Sequence, residues 1–205
     1  MESYRRPGPE EYSAELEIKR SQFLGFIRRT ETEDEARQFI QDIRARYPDA
    51  RHHCSAFIIH QDDAQPIERS SDDGEPAGTA GQPMLDVLRG YMDITAVVVR
   101  YFGGVLLGTG GLVRAYHDAT KAALDTATIT TRRSVHERFI DVDHAQAGKL
   151  EAEIRNAGHT ITNVDYAEHV TMTVATTAPE ALEAVVAQAT GGTVDVRGDA
   201  TVWID

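Results

Sequence analysis

Two runs in this 205-residue chain carry the residue types and spacings that do chemistry. From Tyr101 to Tyr116, four glycines (Gly104, Gly108, Gly110 and Gly111) fall within eight residues, between a β-branched run, Ile94 to Val99, and a helical pattern that begins with Leu112 and Val113. A glycine-rich turn that feeds a helix N-terminus leaves backbone N–H groups pointing outward where the helix dipole is positive, which suits a phosphate or a carboxylate. Arg114, one turn into that helix, could extend such a site by bidentate contact. The loop matches no nucleotide fingerprint. It lacks the Gly-Lys-Ser/Thr of a P-loop, and the third glycine of a dinucleotide fold is replaced by Val113. Glycines placed only for positive φ and close helix packing remain the competing explanation.

The second run is Ser70-Ser71-Asp72-Asp73-Gly74-Glu75-Pro76, followed by small residues up to Gly81. Asp72, Asp73 and Glu75 could offer oxygen ligands to a hard cation, but the spacing of a calcium loop is absent, and solvated carboxylates in an exposed turn are expected. His52, His53 and Cys54 are adjacent. On a strand they alternate between faces and cannot all ligate one metal, so no metal site is assigned and Cys54 is read as buried and inert. No cofactor is implied.

The elements that must hold these groups can be read from periodicity. Strands are expected over Tyr12 to Ile18, Phe23 to Arg29, Cys54 to His60 and Ile94 to Phe102, the last buried on both faces. Helices are expected over Thr32 to Arg46, with a capping box of Thr32 and Glu35, over Pro83 to Arg89, and over Gly111 to Ala127. Pro83 is expected as the first residue of its helix. Thr128 to Ser134 reads as a polar connector and the junction between domains 1–133 and 134–205. Beyond it come strand Val135 to Val142, helix Ala145 to Ala157, strands Thr160 to Tyr166 and Val170 to Thr176, helix Pro179 to Ala189 and one or two final strands. That order, βαββαβ, is a ferredoxin-like sandwich. The fold class is α+β in two domains, the first a mixed sheet with packed helices.

Charge separates the parts. Net charge is −12 overall; residues 1–133 hold 17 Lys and Arg against 21 Asp and Glu, whereas 134–205 hold 4 against 12. Any nucleic-acid surface therefore belongs to the first part, with Lys19, Arg20, Arg51, Arg114 and Lys121 as candidates. No apolar run reaches membrane-spanning length, and Met1 to Gly8 lacks the features of a signal peptide, so the cytoplasm is the expected address and no membrane partner is expected. One cysteine excludes an internal disulfide.

Taken in order, Glu17-Ile18-Lys19-Arg20-Ser21-Gln22-Phe23, Arg51-His52-His53-Cys54, Ser71-Asp72-Asp73-Gly74-Glu75-Pro76 with Gly78-Thr79-Ala80-Gly81, and Phe102-Gly103-Gly104 with Leu107-Gly108-Thr109-Gly110-Gly111-Leu112-Val113-Arg114-Ala115-Tyr116 resemble the IMPACT family, in its bacterial YigZ-like branch. Gln22 departs from the pattern, which has arginine there. The resemblance implies a first domain similar to the fourth domain of elongation factor G and to a small-subunit ribosomal protein, with a left-handed crossover, and a second domain similar to the fifth domain of that factor. It also implies regulation of translation, with the second domain suggesting a role with the ribosome, RNA or a translation factor; because no nucleophile, base and orienter set is complete, a binding protein is favoured over an enzyme. The alternative is a hydrolase or transferase that uses Gly108 to Gly111 as a phosphate or oxyanion cradle, with Asp72 to Glu75 as base or metal site.

Overall fold

The computed structural model describes residues 2–62 and 64–205 and divides the chain into two compact units. One comprises Tyr4–Thr131, the other Arg132–Asp205 together with the first residues of the chain. Strands β1 (Ser3–Pro7) and β7 (Ile129–Val142) straddle the division. Both units are α+β with antiparallel sheets, and five helices are formed among the described residues.

In Tyr4–Thr131, the strands are β2 (Glu11–Ile18), β3 (Ser21–Arg29), β4 (His52–Ile59), β5 (Ile67–Ser71) and β6 (Ile94–Tyr101). They form one antiparallel sheet in the order β2-β3-β6-β4-β5. Alternation of side chains explains why central β6 is apolar almost throughout. Val97 and Val99 pack with Phe26, Phe39 and Ile43 beneath helix α1 (Glu33–Arg46). Ile94, Ala96 and Val98 face the other way, into the core shared by α2 (Gly81–Leu88) and α3 (Thr109–Asp125). A strand covered on both faces has no polar face to show. Thr32 caps α1 by accepting from Glu35 N–H at 3.2 Å, while the Glu35 carboxylate accepts from Glu31 N–H at 2.7 Å, one residue earlier than a reciprocal capping box requires.

Four sequence expectations need correction here. The sheet of Tyr4–Thr131 is antiparallel in every pairing, not mixed, because each strand is followed in the sheet order by a neighbour running the other way. Pro83 is the third residue of α2, not the first, because Gly81 lets the helix start press against β5: a Cβ there would lie 2.7 Å from Ser71 N. Helix α3 begins at Thr109, since Gly108 at φ 73° breaks the chain direction just before it. The polar run Thr128 to Ser134 is not a loop. Ile129 onward is strand β7, and Thr and Arg side chains are as compatible with an exposed strand face as with a connector.

In the second unit β7 is followed by α4 (His144–Asn156), β8 (Thr160–Tyr166), β9 (Val170–Thr176), α5 (Pro179–Thr190), β10 (Val196–Arg197) and β11 (Thr201–Ile204), the βαββαβ order with its last strand in two pieces. β10 and β11 both pair with β7, β7 with β9 and β9 with β8. Ile140, Leu150, Ile154, Met172, Val174 and Leu182 make its core.

Candidate functional site

The Lys19-Arg20 motif is a two-residue hairpin turn joining β2 to β3, with Ile18 paired to Ser21. Both residues have positive φ, 49° and 66°, a conformation that ordinarily selects Asn or Gly and costs about 1–3 kcal/mol per strained residue. The turn lies against the glycine loop. At Gly103 a Cβ would fall 2.0 Å from the carbonyl carbon and oxygen of Arg20, so no other residue fits, and Gly103 N–H donates to Ser21 Oγ at 3.2 Å.

Beside this contact opens a cleft of about 400 Å³, wholly within Tyr4–Thr131. Its apolar walls come from Pro76, Phe102, Leu106, Leu107 and Leu112, and its polar groups from Arg51, His52, Glu75 and Arg100. Gly108 and Thr109 place the N-terminus of α3 at its edge. The acidic loop and the glycine loop therefore meet in one cavity through Glu75 and Gly108.

The acidic loop divides its three carboxylates between tasks. Asp72 turns inward and accepts from the backbone N–H groups of Gly78, Ala80 and Gly81 at 2.8–2.9 Å. Burial alone would raise its pKa, but those three donors outweigh it and hold the carboxyl below the usual range. Asp73 is opposed by burial in the same way, and is held low by Arg44 at 2.8 Å and by His53 N–H at 2.6 Å. Solvated turn carboxylates are thus not what these two are; they fasten the loop to α1, β4 and the start of α2. Glu75 alone reaches the cleft. It is 9% exposed, accepts from Arg100 at 2.6 Å and from Tyr116 Oη–H at 2.7 Å, and lies 4.0 Å from His52 Nε2.

Arg100 is the group that sequence reasoning missed. It is 7% exposed, sits over the rings of Phe23 and Phe102 at 5.5 and 5.6 Å, and gives one terminal nitrogen to Glu75. Its buried Nε has no hydrogen-bond partner among the described residues. The one available signal was an arginine near the end of an almost wholly apolar strand, a position that buries charge only against a partner.

His53 and Cys54 point to opposite faces of β4, as alternation requires. His53 donates to Tyr47 O at 2.8 Å, whereas Cys54 lies under the cleft floor and donates to Asp72 O at 3.0 Å. Burial, with Glu75 and the two aspartates nearby, pushes the Cys54 thiol up to about 12, and burial likewise raises Tyr116, so neither is a nucleophile at neutral pH. Of the glycines named above, Gly108 borders the cleft, Gly104 takes φ 81° in the loop, and Gly110 and Gly111 sit in the first turn of α3, where no side chain caps the N–H groups. Arg114 is exposed on α3 and is not among the cleft-lining residues. Lys121 pairs with Asp125 at 2.8 Å, and Arg51 lines the cleft.

The unit thus gathers three separated motifs around one apolar cleft with a buried arginine and packs the Lys19-Arg20 turn against Gly103, and comparison with known proteins gives the same motifs a family. Residues 19–124 match the model of the Impact N-terminal domain and residues 140–193 that of a domain of unknown function, DUF1949. The chain is 42% identical over 169 residues to the IMPACT family member YigZ of Escherichia coli, covering 82% of this chain and 83% of that protein. It is 40% identical over 158 residues to the family member YvyE of Bacillus subtilis, covering 76% and 72%. A crystal structure titled only as that of a hypothetical protein superposes with a TM-score of 0.63 at 38% identity, over 98% of each chain. The chain belongs to the IMPACT family. No helix among the described residues is long and apolar enough to cross a membrane.

Proposed function

We propose that the chain is a binding protein of translation, acting on the ribosome, on RNA or on a translation factor through the cleft of Tyr4–Thr131, and that its place is the cytoplasm. The observation that carries this reading is convergence. Arg51 with His52, Glu75 with Pro76, and Arg100, Phe102 and Gly108 come from three distant stretches of sequence and line one cavity, while Arg20 sits in the turn pressed against Gly103. Family membership supplies the link to translation, and we read the two units as likenesses of the fourth and fifth domains of elongation factor G. The groups in the cleft favour binding over bond-breaking. Glu75 is held by Arg100 and Tyr116, Asp72 and Asp73 are turned into the loop, and Cys54 is a buried thiol, so the alternative hydrolase or transferase would have to dismantle a buried ion pair to free its base.

The test is sedimentation of the full chain with ribosomes across a salt series. Retention is expected to fall as salt rises and to drop about tenfold when Arg51→Ala removes one contact of 1–2 kcal/mol. Retention that ignores both salt and Arg51→Ala would sink the reading.

A further inference from the structure

The cleft combines three features. Its first is an uncapped helix end: Leu112 N–H makes the first helical bond, to Gly108 O at 2.9 Å, and the N-cap glycine offers no side chain to the turn before it. Independent of that is Arg100, more than nine-tenths buried, lining the cleft with its Nε unmatched among the described residues. Nε itself has almost no accessible surface, so what the cleft can use is the rest of the guanidinium, which gives only Nη1 to Glu75 and leaves its second terminal nitrogen without a hydrogen bond among the described residues. The third feature is apolar and flat. Phe102 is 54% exposed with the Arg100 guanidinium held 5.6 Å from its ring centroid, and Leu106 is 84% exposed.

Donors alone would suit inorganic phosphate or a sugar phosphate, but polar ligands of that kind would leave Phe102, Leu106, Leu107 and Leu112 facing polar groups. Apolar walls alone would suit an acyl chain, and such a ligand would leave the free terminal nitrogen of Arg100 and the helix end unsatisfied. A ligand that answers both is a planar ring carrying a phosphate. A cleft of about 400 Å³ lies within the range that encloses a small ligand of this kind. Glu75 is the one carboxylate lining the cleft, and its charge is already matched by Arg100, so it does not bar an anion.

We propose that this cleft binds a single nucleotide, with its phosphate on the α3 N-terminus and the Arg100 side, and its base laid on Phe102. This rests on reading the cleft as the protein's binding site, and it names the chemistry recognised there. A nucleotide free in solution and the phosphorylated end of an RNA strand offer the same contacts.

The experiment is calorimetric titration of the full chain with 5′-AMP, 5′-UMP, ribose 5-phosphate, inorganic phosphate, and an RNA tetranucleotide with and without a 5′-phosphate. Nucleotides are expected to bind at least about tenfold more tightly than ribose 5-phosphate, the worth of one stacked base. Phe102→Ala, a change at an exposed ring, is expected to abolish that preference while leaving the fold intact. Arg100→Lys keeps the charge but loses Nε and the planar fork, and is expected to weaken all phosphate-bearing ligands. Tighter binding by the 5′-phosphorylated tetranucleotide than by AMP identifies an RNA end, and equal binding identifies the free nucleotide; either supports the proposal. Nucleotides that bind no better than ribose 5-phosphate, or affinity untouched by Phe102→Ala, would overturn it. Ribosome retention without nucleotide binding rejects this inference alone, whereas nucleotide binding without ribosome retention rejects the translational reading alone.

Discussion

The two units bury polar groups very differently. In Arg132–Asp205 the buried polar side chain among the described residues is Thr176, and the core is otherwise aliphatic. Tyr4–Thr131 buries Arg6, His53, Glu75, Asp93 and Arg100 besides several hydroxyls. Burying ions costs several kcal/mol each before pairing returns it, so an apolar core is the cheaper way to hold a small unit together. The first unit carries that cost at two sites, and the sites are not alike. Asp93, at φ 52° and 1% exposed, accepts from Tyr4 Oη–H at 2.6 Å and from His60 N–H at 3.0 Å, with Arg6 3.5 Å away and itself 2.9 Å from Glu31. That network ties the start of the chain, β4 and the entry to β6 together, and lines no part of the cleft. The Glu75–Arg100 pair opens onto a cavity and keeps a donor unmatched. One pair lies away from the cleft; the other lines it, as the proposed binding site requires.

Removing the carboxylate from each pair separates them most sharply. Asp93→Ala leaves Arg6, the Tyr4 hydroxyl and His60 N–H without this acceptor, and is expected to cost about 3–5 kcal/mol. Glu75→Gln keeps an oxygen for Arg100 and Tyr116 and should cost only about 1–3 kcal/mol, while freeing the charge of Arg100 and raising affinity for inorganic phosphate. Native-state amide exchange reads each unit separately, which a single melting curve does not. The loss should appear at β6 amides and leave β9 amides unchanged. Equal losses from both substitutions, with no gain in phosphate affinity for Glu75→Gln, would erase the distinction between the pairs.

How much of this was legible beforehand follows the same division. β8 and β9 were readable to the residue, because a unit with an apolar core shows its periodicity plainly. The βαββαβ order was equally visible. β5 was not, since Ile67–Ser71 has one partly buried residue and four exposed ones and carries no alternating signal. The acidic and glycine runs stood out by composition, but composition cannot tell a carboxylate that accepts backbone N–H groups, as Asp72 does, from one that faces water. Arg114 drew notice by adjacency along the helix, whereas Arg100 reaches the cleft by the register of β6 against β4, in which it pairs with His52. Long-range register is what a single sequence does not display.

Acid titration tests Asp72 and Asp73, the two carboxylates that fasten the loop. Asp72 and Asp73 are both held below the ordinary carboxylate value, so below neutrality the unfolded chain takes up their protons first and stability rises with pH through that range. Their contribution is complete above the unfolded value of about 3.9 and is lost as pH falls through the lower folded values. Exchange protection of the Tyr4–Thr131 unit should therefore be level from pH 7 to about 5 and decline below about 4. Asp72→Asn should shrink that decline and bring the variant and the parent together in strong acid. A decline of the same size in both would show that the three backbone bonds to Asp72 contribute nothing to the acid response.

Gly110→Ala is the smallest and most discriminating change. Gly110 is helical, and a Cβ built on it meets nothing within 4 Å beyond its chain neighbours and its own helix backbone, so the methyl group brings neither strain nor collision. A glycine kept only for structure should have a structural reason, as Gly103 has with Arg20 2.0 Å from its absent side chain. At Gly110 the fold supplies none, and alanine should stabilise α3 by up to about 0.5–1 kcal/mol through helix propensity and a less flexible unfolded chain. A Cβ in a helix leans toward the N-terminus, which here is the uncapped end beside the cleft. The added methyl would therefore crowd whatever approaches the first-turn N–H groups. The expected result is a chain that exchanges its α3 amides more slowly yet binds phosphate and nucleotides several-fold more weakly. Stability and binding moving in opposite directions is a signature that a purely architectural glycine cannot give. If alanine stabilises the helix and leaves binding unchanged, the anion does not use this end of α3, and the open side of the cleft must be sought at Arg51 and Phe102 instead.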